Sequence, residues 1–544
     1  NMPFAGQIVV PSYLPSTSTL SNYLSLKPGS MQGLVKNPFS CDLDDKLREV
    51  DSSIPVPIET VEEIIEKTMR GVFKSKGDAL KEVVEKISLS KYDLMKPIKR
   101  ILIHARGCTA VKLIPKAQDK GFEVVLIQSD PDMDSIAVDL LSEKDQVVCI
   151  GGNTPDESYL NALSVLKVAE HENVDSLHPG IGFLSENAQF AEICLNHKIN
   201  FIGPSVYSME IMGNKSNAIN TAMSLNVPVV PGSHGIITSS EKAAEIADKI
   251  GYPVILKAVH GGGGKGIKIV KSSSHIHTYF NTISAEAKSA FGDGDIYIEK
   301  YVTSLRHIEI QILRDVHGNT KILGLRDCSV QRNNQKLIEE SESKILPTEL
   351  KQKAFNYALK IADKISYIGA GTVEFIYDLN CNEIYFMEMN TRLQVEHPVT
   401  ELVSGVDIVG AQFDIAESKS IEKLSVKADS YAMEVRINAE KAVIESDGSI
   451  SFISTPGNVT KCVIPEDDHV EVISTIGSGK TLSPFYDSMI IQVICNGENR
   501  EDTIDRLNIF LSKIMIEGIC TNIPLILRIL RDPVFRKGDY DTTY

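Results

Sequence analysis

"GTVEFIYDLNCNEIYFMEMNTRLQVEHP", residues 371–398, is the stretch from which the fold is read. Two runs rich in β-branched and aromatic residues flank the turn-forming "LNCN", the pattern of a hairpin. Alternation puts Glu388 and Asn390 on one face of the second strand, and a matching register brings Glu374 opposite them. Two carboxylates and an amide among the apolar neighbours of "YFMEMN" are poorly suited to burial without a partner. With phosphate oxygens completing the shell, they make a donor set for Mg²⁺. A solvated hairpin face is the alternative for a lone glutamate pair. Directly downstream, Arg392, Gln394 and Glu396 recur at every second position. A guanidinium can clamp a small oxyanion, and a carboxylate beside it can take that anion's proton. The competing reading of Arg392 and Glu396 is a surface ion pair.

Upstream, "YPVILKAVHGGGGKGIKIV" (252–270) sets a glycine run between two strand-like runs. Glycine costs ordering entropy wherever it is held. The run is therefore either a flexible hairpin or a flap whose backbone amides close over a polyphosphate. Lys257, inside the apolar strand leading to it, calls for an anion. "MGNKSNA" places Lys215 at a loop-to-helix junction, "EKYVTSLRHIEIQ" contributes Glu299, Lys300 and His307, and "RDCSVQRNNQKLIEE" contributes Arg326, Gln331, Lys336 and Glu339.

With 544 residues the chain is too long for one ordinary core. Its 42% hydrophobic and 24% charged content are those of a globular protein. No apolar run is long enough for a membrane span. A net charge of −16 argues against nucleic acid as partner, so a polyanion would need a local basic pocket. The nine cysteines are scattered without metal-like pairing, which fits a reducing compartment: the cytoplasm, or the mitochondrial matrix. There is no signal-peptide pattern, and Asn1-Met2 reads as a cloning remnant ahead of a start or domain junction.

Four segments follow. Residues 1–97 read as an N-terminal extension, an irregular arm followed by helices with apolar faces such as Val61, Ile64 and Ile65. Residues 98–232 alternate strands and helices, implying parallel βαβ units in a Rossmann-like lobe, although "HARGCTA" is no dinucleotide fingerprint. Residues 233–302 form a small α+β lid whose first helix opens on a capping box, Thr238 with Glu241, and stops at Gly251. Residues 303–544 form a C-terminal lobe of alternating strands with a helical tail.

Taken in order, "IMGNKSNA", "YPVILKAVHGGGGKGIKIV", "IEKYV…RHIEIQ", "RDCSVQR", "FMEMNTRLQVEHPVTE" and "EVRINAE…YDSMI" resemble the biotin carboxylase component of biotin-dependent carboxylases, members of the ATP-grasp ligases. The resemblance covers about 98–544. It implies an α/β ATP-grasp fold with a Rossmann-like N-terminal lobe, a mobile lid and a C-terminal α/β lobe. It further implies ATP with Mg²⁺ or Mn²⁺, and biotin supplied by a carrier domain outside this chain. By position, Lys215 and Lys257 would contact ATP phosphates, with the amides of Gly262, Gly263 and Gly264 above them. Glu299 and the backbone through Val302 would hold adenine, with His307 and Gln331 near the ribose. Glu374 and Glu388 would bind the metal, with Asn390 beside them. Lys336 and Arg392 would bind bicarbonate, Glu396 would deprotonate it, and Arg436 would stabilise the biotin enolate. The implied reaction makes carboxyphosphate from ATP and bicarbonate, then carboxylates biotin.

Several positions depart from the family's usual motifs. Asn333 and Asn334 stand where Arg and His are usual, Ile181 replaces a tyrosine in "HPGIGFLSEN", and "EESE" replaces "EEAP". None removes a proposed metal ligand, Glu396 or Arg436, which suggests a divergent subfamily. The sequence contains no "AMKM"-type biotinyl-lysine and no carboxyltransferase, so the carrier and transferase are expected on other domains or subunits. An acyl-CoA carboxylase is the leading context and pyruvate carboxylase the alternative. A different ATP-grasp ligase joining a carboxylate to an amine, or a degenerate nucleotide-binding regulatory module, remain as further readings. Homo-oligomerisation is possible for the family.

Overall fold

The computed structural model describes Gln7–Val9, Pro55–Pro57 and residues 95–544, apart from 259–266, 292–293, 333–334, 429 and 447–449. The helices expected before residue 97, the Gly262–Gly264 cover and the Asn333–Asn334 pair lie outside the described residues.

Three sheets organise the chain. The first is all parallel: β1 (Arg100–Ile103), β2 (Glu123–Gln128), β3 (Gln146–Cys149), β4 (Ser176–His178) and β5 (Asn200–Phe201), in the order β3-β2-β1-β4-β5. Helix α1 (Gly107–Asp119) makes the crossover from β1 to β2. Strands covered on both faces read as continuous apolar runs, and "ILI" and "VVLI" are fully buried. Gly180 belongs to the "HPGIG" turn after β4. Its φ of +65° is one that side chains avoid, and a Cβ there would lie 2.6 Å from the His104 carbonyl oxygen.

The second sheet, in the lid, has three antiparallel strands in the order β8-β6-β7: β6 (Val254–Ala258), β7 (Ile267–Val270) and β8 (Ile296–Lys300). It is backed by α3 (Ser240–Ile250) and α4 (Ile276–Phe291), whose apolar sides meet Val254, Leu256 and Ile298. The cap of α3 differs from the expected one. Ser239, not Thr238, is the N-cap, and its hydroxyl accepts from the Lys242 amide. Gly251 does end the helix, at φ +80°. Between the parallel sheet and the lid, α2 (Lys215–Ser224) starts at Lys215 and is capped by Asn214.

The third sheet is antiparallel and eight-stranded, in the order β13-β12-β9-β10-β11-β14-β16-β15. Its strands are β9 (Leu305–Arg314), β10 (Thr320–Arg332), β11 (Gln335–Glu340), β12 (Gly369–Asp378), β13 (Glu383–Asn390), β14 (Tyr431–Asn438), β15 (Val470–Ser474) and β16 (Met489–Gly497). One face of β9 and β12 presents Ile308, Ile310, Val373 and Phe375 to α5 (Thr348–Lys364) in an apolar core. The other face carries the polar alternates, and α6 (His397–Ser404) packs over it from β10 to β14. Among the described residues no helix is long and apolar enough to cross a membrane.

Candidate active site

The site is written across the third sheet by register. Glu388 on β13 pairs with Glu374 on β12, Glu374 with Glu309 on β9, and Glu309 with Arg326 on β10. One row of side chains thus runs carboxylate, carboxylate, carboxylate, guanidinium. Further along, Gln331 pairs with Lys336, Glu339 with Glu434, and Arg436 with Gln492. A cleft of about 1180 Å³ opens over this face. Its lining includes His307, Gln331, Lys336, Glu374, Glu388, Asn390, Arg392, Glu396 and Arg436, all singled out from sequence.

At the centre, Arg326 is fully buried and uses its whole donor fork. Its Nε donates to Glu309 Oε1 at 2.5 Å, and its two terminal nitrogens donate to Gln311 and Thr400 and to Gln394, each at 2.8 Å. Lys336 Nζ then donates to Glu309 Oε2 at 2.6 Å and Glu396 Oε1 at 2.5 Å, with Glu374 at 3.3 Å. Arg436 reaches Glu396 Oε2 at 2.9 Å and Glu339 Oε1 at 2.6 Å. Burial alone would push the Glu396 carboxyl upward, yet Lys336, Arg436 and Arg326 hold it well below the usual carboxylate range. Burial likewise opposes the Lys336 charge, and Glu309 and Glu396 outweigh it, so the amine is raised well above its ordinary value. The centre is therefore held as fixed charges of both signs, out of water.

At the hairpin end, Glu374 accepts from His307 Nε2 at 2.9 Å, Asn390 Nδ2 at 2.7 Å and Gln394 Nε2 at 2.8 Å. His307 in turn meets Gln331 at 3.0 Å. Burial lowers the imidazole, but the Glu374 charge and hydrogen bond outweigh it, for a net upward shift. Glu388 faces the cleft from the neighbouring strand, and desolvation followed by the Glu374 charge raises it. Two carboxylates pressed together in this way leave a place where a divalent cation would relieve the repulsion. The donor set therefore fits Mg²⁺ or Mn²⁺, with Asn390 beside it. Arg392 is oriented by Glu186, whose Oε2 accepts from its Nε at 2.9 Å while Oε1 accepts from the Thr391 amide at 3.1 Å.

Toward the lid, Lys257 Nζ lies 2.5 Å from Glu299 Oε2. The anion that Lys257 called for is thus, in this structure, a residue expected to face adenine. Lys215 and Lys257 both point at the Tyr297 ring, 5.9 and 5.8 Å from its centre. Val302 lies in the connection between β8 and β9. Lys215, Lys257, Glu299 and Val302 are not among the residues that line this cleft.

Sequence reasoning did not single out Glu309, Glu186, Tyr297, Glu434 or the Arg106–Tyr486 contact. Arg106 forks onto Asp132 at 2.8 and 2.9 Å, and its guanidinium sits 4.1 Å from the centre of the Tyr486 ring, joining the first and third sheets at the cleft mouth. Ile181 lines the same mouth.

Comparison with known proteins bears on this geometry. Residues 97–209 match the family described as biotin carboxylase, N-terminal domain, residues 214–424 the carbamoyl-phosphate synthase L chain, ATP binding domain, and residues 434–544 the biotin carboxylase C-terminal domain. Biotin carboxylase 1 of Bacillus subtilis is 43% identical over 449 residues, covering 82% of this chain and 98% of that protein. The crystal structure of a biotin carboxylase–β,γ-ATP complex from Campylobacter jejuni superposes with a TM-score of 0.76 at 39% identity, over 83% of this chain and 99% of its own. The biotin carboxylase domain dimer of Hydrogenobacter thermophilus 2-oxoglutarate carboxylase, in complex with MgADP, ADP and bicarbonate, gives a TM-score of 0.74 at 38% identity, over 82% and 97%.

Proposed function

The chain belongs to the biotin carboxylase family and is an ATP-dependent ligase with the ATP-grasp fold, and we propose that it carboxylates biotin on a carrier protein from ATP and bicarbonate, as the first half-reaction of an acyl-CoA carboxylase. The observation that carries this reading is the meeting of Lys336, Glu396 and Arg436 in one cleft with the Glu374–Glu388 pair.

Bicarbonate carbon is a poor electrophile toward biotin, so bicarbonate is first activated by attacking the γ-phosphate as a nucleophile, giving carboxyphosphate with ADP as leaving group. The side chains present supply positioning and charge neutralisation, which is most of what phosphoryl transfer requires. Lys336 and Arg392 offer cationic donors to the bicarbonate oxygens. As Lys336 turns to the anion, Glu396 loses its strongest neighbour, and its capacity to accept the bicarbonate proton rises. A divalent cation held by Glu374 and Glu388 would neutralise phosphate charge. Lys215 and Lys257 would bind phosphate oxygens, with Lys257 exchanging Glu299 for the nucleotide. His307 and Gln331 would sit at the ribose, and Glu299 and the Val302 backbone at adenine. Arg436 would face the charge that develops on the biotin ureido oxygen. The Gly262–Gly264 amides would cover the phosphates and keep water from the intermediate.

A 2-oxo acid as final acceptor is the second reading, favoured by the likeness to the 2-oxoglutarate carboxylase domain. The partners are then a biotin carrier domain and a carboxyltransferase, and a homodimer is the proposed assembly. The test is ADP release by the purified chain with Mg²⁺ and ATP. Stimulation that requires both bicarbonate and free biotin supports the reading. Stimulation by an amine and a carboxylic acid instead would move the chain to another ligase reaction.

A further inference from the structure

Glu339 and Glu434 stand directly opposite one another in the β11–β14 pairing, and both are 0% exposed. Each spends one oxygen. Glu339 Oε1 accepts from Arg436 at 2.6 Å, and Glu434 Oε1 accepts from Gln492 Nε2 at 2.8 Å. The second oxygen of each, Glu339 Oε2 and Glu434 Oε2, is buried without a hydrogen-bond partner among the described residues. Opposed residues in an antiparallel pair have Cβ atoms about 4.5–5.5 Å apart, within mutual reach of two glutamates. Two ionised carboxylates in that arrangement would repel, with desolvated lone pairs on both. A single proton placed between the two orphaned oxygens would satisfy both.

The charge balance of the buried face leads to the same place. Glu309, Glu339, Glu374, Glu396 and Glu434 are set against the permanent cations Arg326, Lys336 and Arg436. These carboxyls outnumber these cations even with His307 protonated, which favours a proton on one of them. The Glu339–Glu434 pair is where an acceptor lacks a donor on each side.

We propose that Glu434 is a carboxylic acid in the working enzyme, that it shares its proton with Glu339, and that the singly charged pair is the positioning device holding Arg436 at the biotin site. This rests on the assignment of Arg436 to biotin made above. The Nε and NH2 groups of Arg436 are taken by Glu339 and Glu396, which leaves NH1 for a ligand. In agreement, burial and then the Glu339 charge raise Glu434 well above its ordinary value, and burial raises Glu339 to about 7 against the pull of Arg436. Several groups face this pair: Arg436 on its own strand, Glu396 from the segment before α6, and neutral Gln492 from β16. Cys108 approaches from α1. Lys336 is a second cation within electrostatic reach of Glu339, but its hydrogen bonds go to Glu309 and Glu396. Loss of the shared proton at alkaline pH would add a negative charge beside Arg436 and draw it from the substrate.

Infrared difference spectroscopy on the full chain without substrates tests the proton itself. A protonated-carboxyl C=O band in the wild type at neutral pH, missing in Glu434→Gln, is expected; its absence from the wild type overturns the proposal. Kinetics test the positioning. Glu434→Ala should lower kcat/KM for biotin about tenfold, the loss of one hydrogen bond to a buried charged group, while the KM for ATP holds. Glu434→Gln should recover most of that loss and extend the biotin kcat/KM plateau to higher pH. If Glu434→Gln is as impaired as Glu434→Ala, or has the wild-type alkaline limb, the proposal fails. A band in the wild type together with unchanged biotin kinetics in Arg436→Ala would overturn the biotin assignment instead and leave the shared proton standing.

Discussion

The parallel sheet and the eight-stranded sheet both bury polar side chains, but in opposite electrical states. Beside the parallel sheet two buried imidazoles are held neutral. The Gly180 amide donates to His178 Nδ1 at 3.0 Å, so Nε2 carries the proton offered to Gln412 Oε1 at 3.1 Å. His104 Nε2 faces the Tyr159 carbonyl at 2.9 Å. Burial lowers both imidazoles to about 4. In the eight-stranded sheet the centre is built of ions, Arg326, Lys336 and Arg436 against Glu309 and Glu396, each kept charged by a neighbour of opposite sign. The first arrangement orders a scaffold at small electrostatic cost. The second accepts the desolvation of many charges, and its return is a preorganised field at the cleft.

The sharpest way to break this contrast is Glu396→Gln. It keeps the shape of the site and removes a base, so carboxybiotin formation should fall about 10²–10⁴-fold, with ATP affinity retained. Carboxylation assays beside nucleotide titration check it, and normal turnover would return the charged face to a structural role.

Stability variants come next. Arg326→Met leaves Glu309 Oε1 buried without its donor and should cost about 3–5 kcal/mol in denaturant unfolding. Phe190→Ala, in the apolar core beside the parallel sheet, should cost a similar ~3–5 kcal/mol by cavity formation. The two should part in function: folded Phe190→Ala keeps bicarbonate-dependent ATPase, and folded Arg326→Met does not.

Acid separates the buried imidazoles from the depressed carboxyls by pH window. An imidazole lowered from 6.5 to about 4 binds its proton more readily when unfolded. Stability therefore drops as pH falls from about 6.5 toward 4, by on the order of 3 kcal/mol per group. The depressed carboxyls Glu374 and Glu396 stabilise the fold above their ordinary range, and that contribution disappears only below about 4.5. His104→Gln should flatten the upper window and leave the lower one. Unfolding midpoints across pH report both.

The smallest effect is expected at the rim. Glu388→Gln should raise the Mg²⁺ requirement about tenfold, with little change in stability. Mg²⁺ titration of ATPase activity measures it.

The row Glu388–Glu374 was readable because a hairpin pairs its strands locally and alternation fixes the face. Glu309 was also within reach, since "HIEIQI" puts His307, Glu309 and Gln311 on one face, but chemistry was assigned only to the histidine. The Glu339–Glu434 contact was not readable, because its register joins strands far apart in sequence and depends on the sheet order. Lys257 shows a related limit: alternation placed it, but only the β6–β8 pairing supplied Glu299 as its anion. The cap of α3 moved by one residue because Thr238 and Ser239 are adjacent and both can accept from an amide.

The most direct test is transfer of label from ¹⁴C-bicarbonate to free biotin by the full chain with Mg²⁺ and ATP. Acid-labile label on biotin, formed in proportion to ADP and lost in Glu396→Gln, is the predicted result. ADP formed without labelled biotin, under conditions where the wild type binds both substrates, would contradict the claim that this charged face carboxylates biotin.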